Sequence, residues 1–142
     1  MLQRPPPRYT RLPSDMPRRL WIVPLLLASA CGPPRPDAAS LLPPTVAVVW
    51  QRKSLHEIPP PQASVTRAVE AAYEGAGQIT ARIYATKSPG SAFEMTQHWK
   101  EQKNTVFFDK GRYFVVVEWQ QADRNALTAF VRALEKELDR VR

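Results

Sequence analysis

Five scarcities bound this chain of 142 residues. It holds one cysteine, Cys31, so no intrachain disulfide can brace the fold. It holds two histidines, His56 and His98, and neither follows a glycine-framed serine or cysteine. That leaves little from which to build a nucleophile and its base. Its five glycines form no phosphate-cradling loop. No apolar run approaches the roughly 20 residues that a membrane-spanning helix needs. Proline is scarce in one region only: fourteen of the fifteen lie before residue 62, and Pro89 alone lies beyond.

The proline distribution divides the chain. Proline fixes φ and removes a backbone donor, so residues 31–61 read as a tether and not as continuous helix or sheet. Residues 62–142 then form the globular domain, small but sufficient for one core. TVAVVW, residues 45–50, is β-branched and apolar. It reads either as an edge strand or as part of the tether packed on the domain. The formal net charge of +7 is divided as well. Residues 1–30 carry five arginines and one aspartate, a net +4, which leaves +3 for the rest. The remaining basic residues alternate with acids, as in Glu135-Lys136-Glu137. A nucleic-acid binder concentrates its positive charge on one face, so nucleic acid is not an expected partner.

Residues 18–34, RRLWIVPLLLASACGPP, carry the one cysteine. Arg18 and Arg19 make a positive start, Leu20 to Ala30 an apolar stretch of eleven residues, and Ala28-Ser29-Ala30 a small-residue stretch before Cys31. That pattern fits a secretory signal in residues 1–30. Read from Met16, MPRRLWIVPLLLASAC has compact signal proportions, so Met16 is the expected start of translation. A plain secretory signal cut after Ala30 and an ordinary free thiol are the competing readings.

Residues 17–32 resemble the lipobox signal of bacterial lipoproteins, with Ala28 standing where leucine is commonest and Leu27 one place early. The resemblance implies that Cys31 is the lipid attachment site, palmitate-type acyl chains being its cargo. It also implies a domain held at the cell envelope, outside the cytoplasm. One buried acyl chain, at about 0.8 kcal/mol per methylene, holds only marginally, whereas two or three on one residue hold stably. Gly32 stands where inner-membrane retention usually shows aspartate, which points to the periplasmic face of an outer membrane if two membranes exist.

Within the domain, VTRAVEAAY (65–73) suits a helix or a strand. The short loop Gly75-Ala76-Gly77 and the clean alternation of QITARIYAT after it favour a hairpin. Ser88-Pro89 opens a helix, with Ser91 and Glu94 at capping-box spacing, that buries Ala92, Met95, Thr96 and Trp99 and ends near Lys103-Asn104. NTVFFDKGRYFVVVEW is a second hairpin turning at Gly111. Its second strand is apolar on both faces, Tyr113, Val115, Val117 and Trp119 on one and Phe114 and Val116 on the other. This marks an interior strand. Ala122 to Val141 forms the last helix, with Asp123 as its cap and a stripe through Leu127, Phe130, Val131, Leu134, Leu138 and Val141. The expected fold is α+β: a small antiparallel sheet with two helices packed on one face, in the order β-β-α-β-β-α. The S-x-x-x-AFE helix start and the KGRYFVVV strand are similar to small uncharacterised secreted bacterial α+β proteins, a resemblance that implies no activity.

Candidate chemistry is sparse. Glu94 and His98 are four apart on a helix and could face one metal ion, but the domain has no second histidine or cysteine to complete the set. Tyr84, Trp99 and Trp119 are the aromatics to consider as a ligand surface. No catalytic residue, metal site or cofactor is expected. The function that follows is a non-catalytic binding or structural role in the cell envelope. A subunit of an envelope protein assembly is the alternative, and a tethered enzyme using Glu94 and His98 the less favoured one.

Overall fold

The computed structural model describes residues 36–141. Cys31, the leucine stretch before it and the expected start at Met16 lie outside the described residues. Six strands form one antiparallel sheet: β1 (Thr45–Val46), β2 (Trp50–Ile58), β3 (Val65–Gly75), β4 (Gly77–Thr86), β5 (Thr105–Lys110) and β6 (Tyr113–Gln120). Helix α1 (Pro89–His98) joins β4 to β5, and helix α2 (Arg124–Asp139) follows β6. The spatial order is β1-β2-β3-β4-β6-β5, which places β6 in the interior as its two apolar faces require.

Side chains alternate across a strand, so each face draws on one parity. Val69, Ala71 and Tyr73 of β3, Ile79, Ala81 and Ile83 of β4, and Val115 and Val117 of β6 pack beneath Phe130, Leu134 and Leu138 of α2. Ala68, Tyr84, Phe114 and Val116 point the other way and pack beneath Ala92 and Met95 of α1. The two helices therefore lie on opposite faces of the sheet, not together on one. Two apolar parities on β6 need two covers, and one helix stripe cannot supply both.

The fold also begins earlier than proline content suggests. Residues 36–61, expected as tether, contribute β1, β2 and a short 3-10 helix, Ala38–Leu41. Leu41, Leu42, Val46 and Trp50 join the α2-side core. The prolines tolerate this because they serve as acceptors: Tyr73 donates its hydroxyl to Pro43 O at 2.9 Å and Tyr113 to Pro36 O at 3.2 Å. Trp50 donates Nε1–H to Ala126 O at 3.1 Å, and its ring meets Phe130 edge-on at 5.9 Å. Apolar anchors between prolines thus strap residues 36–46 down, and β2 adds ladder pairing with β3 from Gln51 to Ile58.

Residues 65–75 are a strand, and the turn Gly75–Gly77 closes its hairpin with β4. At α1 the cap is Ser88, whose Oγ accepts Ser91 N–H at 3.2 Å. Pro89 in the first turn makes Ser88 the cap, and Ser91 with Glu94 does not act as a capping box. The helix ends at His98, earlier than Lys103, because Trp99 turns to extended backbone and lays its ring 5.1 Å from that of Phe114. At α2 the Asp123 carboxylate accepts Ala126 N–H at 2.9 Å, as its position predicts.

Candidate functional site

Helix α1 has ten residues and covers only part of its face. The rest of that face, toward Gly75, Gly77 and Gln120, is polar. Across it runs a ladder of charge through four strands. His56 on β2 pairs with Glu70 on β3, and Glu70 pairs with Arg82 on β4. His56 Nε2 stands 3.2 Å from Glu70 Oε1, and Arg82 Nε donates to Glu70 Oε2. Arg82 Nη1 reaches Glu118 Oε1 on β6 at 2.9 Å. Partial burial works against the charge on Arg82, but its hydrogen bonds to Glu118 and Glu70 outweigh that and hold the guanidinium firmly protonated.

Beside the ladder lies a groove of about 260 Å³. Gln78, Thr80, Gln102, Asn104, Glu118 and Gln120 line it together with Lys103. Glu118 belongs to both the ladder and the groove. Its carboxylate is held in place by the ion pair to Arg82.

The three aromatics singled out from sequence do not form one surface. Tyr84 is buried under α1, within an aromatic cluster where Trp99 and Phe114 lie 6.2 and 5.8 Å from it. Burial pushes the Tyr84 hydroxyl above the usual phenol range. Trp99 packs in the same cluster, and its indole N–H is buried with no oxygen or nitrogen partner. Trp119 packs against the core of the opposite face and is also among the residues that line the groove. Alternation along β6 separates Trp119 from Phe114, and no sheet twist brings them together.

Glu94 and His98 do meet, but through the main chain. His98 Nδ1 is 2.8 Å from Glu94 O, one turn back on the same helix. A shallow cavity of about 200 Å³ adjoins them, lined by Pro61, Gln62, Met95 and Trp99 as well. Among the described residues no three metal-ligating side chains cluster. The ladder escaped the sequence reading for a specific reason. Glu70 and Arg82 are equidistant from Ala76, so the hairpin alone pairs them. His56 and Glu118 enter only once β2 and β6 are placed in the sheet.

No protein-family model matches the chain, and comparison with curated proteins and with solved structures finds no significant match. The fold therefore defines a class, a six-stranded antiparallel α+β sheet with a helix on each face, and function has to be argued from the residues themselves.

Proposed function

We propose that this chain is a bacterial lipoprotein, anchored through acyl chains on Cys31, whose α+β domain binds a ligand or partner outside the cytoplasm and is not a catalyst. The observation that carries the reading is the position of the one cysteine, directly after Ala28-Ser29-Ala30 and the apolar stretch. Support for binding over catalysis comes from the side chains. Glu94 and His98 are joined only through backbone, and the charged residues of the ladder, Glu70, Arg82 and Glu118, are engaged in ion pairs with one another. Membrane lipid is the first partner, and the periplasmic face of an outer membrane is the location that Gly32 favours.

The second reading, a subunit of an envelope assembly, draws on the tip between β1 and β2. Val48 and Val49 are 87% and 47% exposed there and offer adjacent apolar side chains to a partner. Intact mass spectrometry of the protein from its native membrane tests the anchor. The expected mass is that of a chain beginning at Cys31 with added diacylglyceryl. A bare thiol with the leucine stretch still attached refutes it.

A further inference from the structure

Among the described residues, four non-glycine residues adopt left-handed backbone: Ala47 (φ 47°), Val48 (φ 65°), Asn104 (φ 56°) and Gln121 (φ 51°). All four sit at one end of the sheet, where β2, β4 and β5 start and β3 and β6 stop. Side-chain-bearing residues adopt this backbone at a cost, and they cluster at functional sites. The polar groove opens at this same end. Pro36, where the chain leads back toward Cys31, is bonded by Tyr113 at the other end.

The groove is rigidly framed. Gly77 has φ +128°, and a Cβ there would lie 2.7 Å from Ala122 Cα, so the turn and the start of α2 interlock. Asp123 N–H donates to Ala76 O at 3.2 Å, and Trp119 N–H to Asn104 O at 3.0 Å. Strands β4 and β6 form the floor, and each is paired on both sides. Their backbone groups are already used, so an extended peptide cannot add itself as a strand there. Recognition in the groove has to pass through side chains.

Those side chains specify a chemistry. The amides of Gln78, Gln102, Asn104 and Gln120 each present donors and an acceptor together, and the Thr80 hydroxyl does the same. Among the described hydrogen bonds, none engages these four amides. Glu118 is a pre-oriented acceptor. Lys103 offsets Glu118 in charge, and Glu70 offsets Arg82 behind it, so the groove offers an ion no net attraction. Dense neutral groups that both donate and accept are what it complements. We infer that this groove is a saccharide-binding site, which takes a neutral sugar of mono- or disaccharide scale through its hydroxyls. The inference deepens the binding role proposed above but does not depend on the lipid anchor.

The test is an amide NMR titration of the full chain, carrying Cys31→Ser, with chitobiose, cellobiose and maltose. At least one sugar is expected to give saturable shifts confined to residues 78–80, 102–105 and 118–120. Gln120→Ala, at an exposed site, is expected to weaken that binding several-fold. Glu118→Gln is expected to weaken it about tenfold, since a charge-assisted bond is lost. Gln97→Ala, on the exposed side of α1, leaves it unchanged. The inference is overturned if no sugar gives saturable shifts at tens of millimolar, or if the shifts map to α1. It is equally overturned if Gln120→Ala binds as the parent does, or if tetra-alanine alone perturbs the groove. The mass measurement above reports on the anchor independently, so failure of either leaves the other standing.

Discussion

The two faces of the sheet are built from the same strands and have opposite characters. The α2 side carries the larger core: Trp50, Tyr73, Phe130, Leu134 and Leu138 are essentially inaccessible to solvent, and even the proline-rich lead-in is drawn into it. The α1 side is closed only beneath a ten-residue helix and then gives way to His56, Glu70, Arg82 and Glu118. The difference shows where stability and function can reside in a small domain. One face carries the apolar burial that holds the chain together. The other can keep charged and amide side chains in ordered positions because it is not needed for that purpose.

Breaking the α2-side core should have the largest effect. Phe130→Ala removes the ring that both Trp50 and Tyr73 meet edge-on, and should cost about 3–5 kcal/mol in chemical denaturation. A loss of that size is most of what a domain this small commonly possesses. The same substitution should leave groove residues with native-like shifts in whatever fraction stays folded.

On the polar face, Arg82→Met should cost less, about 1–2 kcal/mol, because the ladder is only partly buried and solvent screens it. Glu70 and Glu118 would then lose their shared cation. Raising salt should narrow the gap between parent and variant, and denaturation at two ionic strengths reads it directly.

Tyr73→Phe sharpens the comparison through pH. Burial pushes the Tyr73 hydroxyl far above the ordinary phenol range. A group whose pKa is raised by folding stabilises fully below its unfolded value and loses that contribution as pH climbs. The native protein should therefore lose stability above about pH 10, where the unfolded chain ionises and the folded chain does not. Tyr73→Phe should cost about 1 kcal/mol at neutral pH through the bond to Pro43 O. It should also flatten the alkaline fall, and denaturation midpoints from neutral to alkaline pH check both. Tyr84, raised for the same reason, leaves a residual slope.

His98→Ala should have the smallest effect, within about 0.5 kcal/mol, since an exposed imidazole is bonded only to the carbonyl one turn back. Any loss of function much beyond that stability change would revive the Glu94–His98 pair as a working unit.

Much of the local structure could be read from residues alone. The hairpin turning at Gly111, the interior position of β6 and the Asp123 cap follow from periodicity and turn chemistry. The lead-in was misread because proline content reports what a segment cannot donate, not what it can bury. Trp50 finds partners in Ala126 and Phe130, more than seventy residues away, Leu41 and Leu42 join the same core, and no local pattern reveals that. The groove was illegible for the same reason: its members come from β4, β6 and the approach to β5, and each alone is an ordinary surface residue.

By itself, the order of amino acids determined the two hairpins beyond residue 62, the Asp123 cap and the placement of a single cysteine after an apolar stretch, because these depend on neighbours within one or two turns of chain. Only the tertiary structure decided that the helices take opposite faces, that residues 36–58 belong to the fold, and that a polar groove opens at the strained end of the sheet. Those outcomes depend on which surfaces, distant in sequence, exclude water from one another, and hydrophobic burial carries no direction along the chain.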